Sequence, residues 1–435
     1  MSYGRAELFR PPPAPSRWLA GLSVASSWAA CFGCRGADEV LARERPKMWT
    51  AYGEPLSAIA VTSPEQAALA LDADDRPVLA WSQRSTEGEA EYVHVWRWSG
   101  SSWQALGAAL SALPGEDTGA NSPAIAVDPS GGVIVAWEEW QEVAFGVHVA
   151  RFSEGQWIPL GDEAIPGSTT EARQNDIFDP RDVLAPHAFD TGPALALESD
   201  GTPIVGYSEF AVEAGGSVQI ARFSVGVWQV EAVPDSRSWL PPALAIGGDD
   251  QLWVAWTTPE GDVQIRSRQG AEWGALQTLR AAQDGAPAAH WPTLVVHDDH
   301  PVVAWEGALL AAGPSSAFES GIGAARWSGD SAVALDARLD GSALRSHARL
   351  AERGGTLALM WYERDPELSD DGAAAYVTRW RSGQWWPVGL PLDVRLKPNS
   401  NGGPALCVDR RGRLVIAYKG VGPLGEGMHV VREHP

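Results

Sequence analysis

A few glutamates and a scattering of aromatic, imidazole and amide side chains are the residues here with the chemistry to hold a small polar ligand. Glu139, Glu209 and Glu363 each stand two residues past an aromatic that ends an apolar run, and Glu306 stands one past Trp305. Asn121, Asp190, Trp239, His290 with Trp291, His347 and Asn401 come just ahead of a second kind of apolar run. Indole faces stack on apolar ring faces while amides, imidazoles and carboxylates pair with hydroxyls, a mixture that suits a sugar. Two carboxylates a few ångströms apart would instead serve hydrolysis of a glycoside.

Each group also has a structural reading. Trp239 and Trp291 stand close ahead of Pro and can plug gaps between sheets, and the carboxylates can be solvated or paired with Arg. His94, His148 and His429 fill one equivalent position that Gln219 and Gln264 fill elsewhere. They are expected to hydrogen-bond to a neighbouring sheet rather than bind metal. No Gly-x-Ser-x-Gly elbow, phosphate loop or His-Glu-x-x-His occurs.

The elements that must position these residues come from a repeat. Its second copy shows it whole: "PAIAVD" from Pro123, "VIVAW" from Val133, "VHVARF" from Val147 and "QWIPLG" from Gln156. Each run is five or six residues long and bounded by turn residues, so four short strands are predicted per unit. The aromatic ending the second strand recurs as Trp81, Trp137, Tyr207, Trp256, Trp305, Trp361 and Tyr418, seven positions in one phase. A third-strand arginine recurs as Arg97, Arg151, Arg222, Arg326, Arg379 and Arg432. The fourth-strand tryptophan recurs as Trp103, Trp157, Trp228, Trp273 and Trp385, and the fifth unit lacks it.

The seventh unit stops at "MHVVREHP", after its third strand, and Trp49 to Gly53 repeats the Trp-x-x-x-Gly spacing that closes other units. The N-terminal stretch is therefore expected to be the outer strand of the last sheet. An all-β, seven-bladed β-propeller with four antiparallel strands per blade follows, occupying residues 46–435. An open solenoid is the competitor, but it would need capping repeats rather than a split one.

With 33 Lys and Arg against 55 Asp and Glu, the net charge of −22 argues against nucleic acid, whose phosphates demand basic clusters. It fits solubility first, and cation or neutral-sugar binding after that. No cofactor is expected, and a structural cation such as calcium is compatible with the composition. Residues Trp18 to Gly33 are uncharged, follow Arg5, Arg10 and Arg17, and are short for a membrane span. Residues 1–34 are read as an export signal and 35–45 as a linker. Cys31 after Ala29-Ala30 resembles the lipid-acceptor cysteine of a bacterial lipoprotein signal, with Trp28 where Leu is usual. The expected location is the cell envelope, by a lipid on Cys31, or outside the cell, as a monomer. Cys31 and Cys34 lack the second pair a zinc site needs, and Cys407 reads as a small buried hydrophobe.

The repeats resemble those of Trp-rich bacterial secreted propeller proteins over residues 47 to 435. The recurrent Trp and Arg are loosely similar to propeller lectins, which hold sugars between blades; equivalents here would draw on Arg97, Arg151, Arg222 and Arg379. Sialidase-like propellers carry a Ser-x-Asp-x-Gly-x-x-Trp turn that is not found here.

Turns between strands one and two, and between three and four, are short and alike. Loops on the opposite face vary, reaching thirty residues from Asp162 to Thr191. Long loops on a rigid scaffold are where binding concentrates. The expected function is an exported binding propeller using that face, with a glycan as ligand. Alternatives are a protein-interaction scaffold and a sialidase-like hydrolase or lyase.

Overall fold

The structure, a computed structural model, describes residues 49–57, 65–86, 90–113, 118–141, 144–161, 163–168, 170–171, 192–209, 216–238, 240–279, 288–309, 319–329, 331–335, 344–364, 372–389, 391–395, 403–422 and 425–434. Among them the regular structure is β, antiparallel but for one parallel bridge, apart from one 3-10 turn at Gly248–Asp250. No helix there is long and apolar enough to cross a membrane.

The second repeat sets the pattern. Its four strands, Thr118–Val127, Val133–Gln141, Ala144–Ser153 and Gln156–Pro159, pair in chain order. Val133 to Ala136 are all buried, because neighbouring sheets cover both faces, so the strand is apolar throughout instead of alternating. The outer strand exposes all of its residues but Trp157. Repeats three to six form separate sheets on the same plan. The first two repeats share one nine-stranded sheet, joined by a parallel contact between Glu91 and Gly119.

The last repeat takes its outer strand from the other end of the chain. Trp49–Ala51 pairs with Gly425–Glu433, placing Trp49 opposite Glu433 and Thr50 opposite Arg432. Tyr52 N–H then donates to Val430 O at 2.8 Å. Tyr52 and Leu56 enter one apolar cluster with Leu79 and Trp81 of the first repeat and Val415 and Met428 of the last. First strands pack neighbour to neighbour in order: Glu65–Leu71, Thr118–Val127, Ala194–Leu197, Ala243–Ile246, Ala288–His297, Leu344–Arg353, then Ala405–Val408, which packs back on Glu65–Leu71.

Two recurrent bonds tie sheets together. The outer-strand indole N–H donates to the carbonyl just before the closing glycine of the preceding unit: Trp103 to Tyr52 at 2.5 Å, Trp157 to Leu106 at 2.7 Å and Trp228 to Leu160 at 2.6 Å. The glycines have positive φ, +75° at Gly53 and +70° at Gly107, and a Cβ at Gly107 would lie 3.1 Å from Trp157 Cδ1. That close approach explains the Trp-x-x-x-Gly spacing. The third-strand arginine reaches forward to the next repeat's first turn: Arg97 to Gly131 O at 3.0 Å, Arg151 to Gly201 O at 3.1 Å and Arg379 to Gly412 O at 2.9 Å. Those turns are built on a carboxylate, as where Asp409 accepts the N–H groups of Arg411 and Arg413.

The third-strand histidines depart from expectation. His94 stacks on Trp81 (5.7 Å, 29°), His148 on Trp137 (5.8 Å, 25°) and His429 on Tyr418 (5.3 Å, 14°), each within its own sheet. The cause is register: each sits directly across from that aromatic on the adjoining strand. Burial lowers the pKa of His94 and of His148, in the second case against a raising influence from Glu139. In the fifth repeat Gly323 takes this place, where a Cβ would fall 2.4 Å from Trp305 Cε2, so the indole occupies the space instead.

Candidate functional site

The ends of the first strands nearest the variable loops are irregular in a shared way. Pairing slips between Glu65 and Ala67, Asn121 and Ala124, His290 and Thr293, and Ser346 and Arg349. One residue in each bulge lies in the left-handed region: Gln66 at φ 39°, Ser122 at 49°, Trp291 at 43° and His347 at 59°. None is glycine, and each such placement costs on the order of 1–3 kcal/mol.

The bulges bring Asn121 opposite Glu138, His290 opposite Glu306 and Ser346 opposite Tyr362. Bonds then run from one repeat to the next. Ser122 N–H donates to Gln66 Oε1 at 2.6 Å, His347 N–H to Glu306 Oε1, and Ser208 Oγ to Leu240 O at 2.6 Å. Aromatic rings gather beside them, His290 with Trp291 at 5.6 Å and His347 with Tyr362 at 5.5 Å. Asn121, His290, Trp291, Glu306 and His347 thus occupy corresponding strand ends in repeats two, five and six.

The other three glutamates have local partners. Glu139 is fully buried and accepts from Ser111 Oγ (2.6 Å), Ala112 N (2.7 Å), Leu113 N (2.9 Å) and Trp137 Nε1 (2.8 Å). It thereby pins the segment entering its own repeat. Glu363 accepts from Arg345 Nε at 3.0 Å and Trp361 Nε1 at 3.4 Å, and Glu209 from Ser217 Oγ at 2.8 Å. Residues one and two past the aromatic point to opposite faces of the sheet, which separates Glu306 from this group. Trp239, Asn401, Asp190 and Cys31 lie outside the described residues, as does most of the 162–191 loop.

Sequence reasoning passed over Gln66, Ser122, Arg349 and Tyr362. None of the four bulge residues carries a signal for left-handed geometry: the prolines after Ser122 and Trp291 favour extended backbone, and nothing marks Gln66 or His347. Tyr362 is buried, and burial drives its phenol pKa well above the ordinary tyrosine range, with the Arg349 charge acting in the opposite sense. Among the described residues no group of three or more His, Cys, Asp or Glu side chains is arranged to hold a metal ion.

The opposite ends of the strands are tied differently. Asp75, in the first turn of repeat one, pairs with Arg353 of repeat six and Arg410 of repeat seven, both at 3.2 Å. Between repeats three and four Arg222 folds back onto Glu198 of its own sheet instead of reaching forward. A cleft of about 410 Å³ opens there, walled by Glu198, Arg222, Asp249, Asp250 and Arg268. Ser199 of repeat three bridges it to Asp250 at 2.7 Å.

No protein family matches the chain, and no curated protein does. Solved structures match in fold. An ulvan lyase of polysaccharide lyase family PL25 is 12% identical with a TM-score of 0.50, over 87% of this chain and 93% of that one. The α-L-arabinanase of Penicillium chrysogenum, complexed with arabinobiose, is 12% identical with a TM-score of 0.47 over 88% and 97%. The GH93 α-L-arabinofuranosidase of Fusarium graminearum is 9% identical with a TM-score of 0.47 over 88% and 98%. These are propeller-type folds built from glycoside hydrolase and polysaccharide lyase chains, and at such identities the likeness is one of fold.

Proposed function

We propose that residues 46–435 form a closed ring of seven four-stranded blades that recognises a saccharide at the mouth of its central channel, on the loop-bearing face. One observation carries this reading: four non-glycine residues, Trp291 and His347 among them, are held in left-handed backbone geometry at corresponding strand ends. Left-handed residues at the opposite ends, such as Asp75, Glu154 and Asp298, sit in tight turns whose geometry calls for them, whereas these four interrupt strand pairing, where no turn needs them. Strain of this kind collects where groups are positioned for a ligand. The side chains so placed combine an indole face with imidazole, amide and carboxylate groups, the set that a sugar ring and its hydroxyls require. The ulvan lyase of like fold acts on a polysaccharide, which agrees in ligand class.

Hydrolysis by an acid pair is less favoured. Glu139, Glu209 and Glu363 spend their oxygens on donors of their own repeat, and Glu306 accepts a backbone N–H. Export on the 1–34 segment, with a lipid on Cys31, belongs to the same proposal, and the mass of the mature N-terminal peptide tests it. A glycan array probed with the full chain tests the central reading. Binding to a saccharide, weakened at least about tenfold in Trp291→Ala, is the expected result. Capture of a protein with no sugar bound would point to a scaffold instead.

A further inference from the structure

We propose that the saccharide is anionic, and that Arg349 and the Tyr362 hydroxyl receive its carboxylate or sulfate; this rests on the saccharide reading above. In a chain with 55 acidic residues against 33 Lys and Arg, carboxylates are plentiful partners for a partly buried arginine, and those arginines without one, such as Arg97, cap a turn carbonyl of the next repeat. The strand neighbours of Arg349 each have a carboxylate: Arg345 pairs with Glu363 at 3.0 Å and Arg353 with Asp75 at 3.2 Å. Arg349, between them, is half-buried and donates from Nη1 to the Ala348 carbonyl at 2.9 Å. No carboxylate among the described residues pairs with it, which leaves most of a five-donor fork uncommitted.

A second observation points to the same place. Tyr362 is 1% exposed, and its hydroxyl, though buried, has no hydrogen-bond partner among the described residues. Buried hydroxyls are nearly always satisfied, so an orphan asks for a missing atom. Arg349 lies close enough for its charge to act on that phenol, and the His347 ring lies 5.5 Å from it. Both Arg349 and His347 converge on Gly403, where the first strand of repeat seven begins. A Cβ there would stand 2.6 Å from Arg349 Nη2 and 3.1 Å from His347 Cδ2. A half-buried guanidinium fork and a buried neutral O–H donor on adjoining strands are complementary to an oxyanion and mismatched to a neutral hydroxyl pair.

Calorimetry on the full chain tests this with three probes: a uronate trisaccharide, a sulfated galactose trisaccharide and neutral galactotriose. One of the two charged probes should bind at least about tenfold tighter than the neutral one, and which of them does so identifies the anion. Arg349→Gln should remove that preference, lowering affinity for the charged probe at least about tenfold more than for the neutral one. Tyr362→Phe, which keeps the ring packed, should narrow the gap between the charged and neutral probes by about threefold to tenfold. Equal affinity for charged and neutral probes, or a preference that survives Arg349→Gln, overturns the anionic assignment while the saccharide reading stands. Failure of all three probes to bind overturns both. If Arg349→Gln does not fold, Arg349→Lys keeps the charge but loses the fork, and should retain the preference at reduced affinity.

Discussion

At the turn-bearing ends of the sheets one repeat holds the next by bonds that recur: an indole on a carbonyl, an arginine on a glycine carbonyl, a carboxylate folded into a tight turn. At the loop-bearing ends the contacts differ from repeat to repeat, with Gln66 serving one junction, Glu306 another and Ser208 a third. A device repeated around a fold is there because every junction has the same packing problem. A strained residue present in some repeats and absent from others answers a different requirement, and ligand binding is the one the side chains fit. The comparison therefore makes a testable division. Changes at the turn end should lower stability and spare binding, and changes at the loop end should do the reverse.

The largest effect belongs to the join between the chain's ends. Deleting residues 46–54 removes the outer strand, the Tyr52 side chain and the carbonyl that Trp103 uses, and leaves Val430 to Glu433 on an uncovered edge. A loss of roughly 3–5 kcal/mol is expected, by analogy with deleting one large buried aromatic, and denaturant unfolding measures it. Melting like that of the intact protein would show that the pairing contributes little, and would count against the proposed ring closure.

Glu139→Ala comes next and tests the division directly, since Glu139 sits at the loop end but is bonded as a structural group. Removing its carboxylate leaves the buried Trp137 indole and the Ala112 and Leu113 N–H groups without their acceptor, while Ser111 Oγ keeps its bond to Leu113 O. About 3 kcal/mol of stability should go, with saccharide affinity unchanged in the fraction that stays folded. Lost affinity at unchanged stability would return Glu139 to the ligand site.

Most of the architecture could be read from spacing. Trp103, Trp157 and Trp228 recur because each must reach a carbonyl one unit back, so the Trp-x-x-x-Gly rhythm exposed Trp49 as a displaced outer strand. The candidate site was harder to read, for two physical reasons. Pooling Glu306 with Glu139 and Glu363 ignored strand parity, which sends them to opposite faces. Nothing in a single sequence marks Gln66 or His347 as left-handed, because non-glycine residues enter that region only when tertiary contacts hold them there. Tyr362 and Arg349 have no repeated counterpart to draw attention to them.

Smaller effects sharpen the turn end. Trp157→Phe keeps the ring but deletes the bond to Leu106, and should cost about 1 kcal/mol without altering binding. Acid should act there too. Burial by itself would raise the Asp409 pKa, but hydrogen bonds from the Arg413 backbone and side chain and the Arg411 backbone bring it below its usual value, 3.8. A depressed folded-state pKa means stability is fully present above 3.8 and is lost as pH falls through the lower folded value. Asp128, held below normal in the same way by Ser130 and Gly132, adds to the effect. Unfolding followed from pH 5 to pH 2 should show this loss, and Asp409→Asn should flatten it.

The smallest effect on stability is the most telling. His347 sits at φ 59°, a backbone geometry glycine adopts without a steric penalty. His347→Gly relieves that strain and keeps the backbone N–H that donates to Glu306, but it also gives the unfolded chain more freedom and removes the ring beside Tyr362. These opposing contributions should nearly cancel, leaving stability within about 1 kcal/mol of the parent, while saccharide affinity falls at least about tenfold. The same exchange at a turn-end position of ordinary geometry, Arg151→Gly, carries no strain to relieve and should destabilise without touching affinity. If His347→Gly instead destabilised the fold strongly and left binding intact, the bulges would be packing devices like the indole and arginine contacts, and the two ends of the molecule would differ in detail but not in kind.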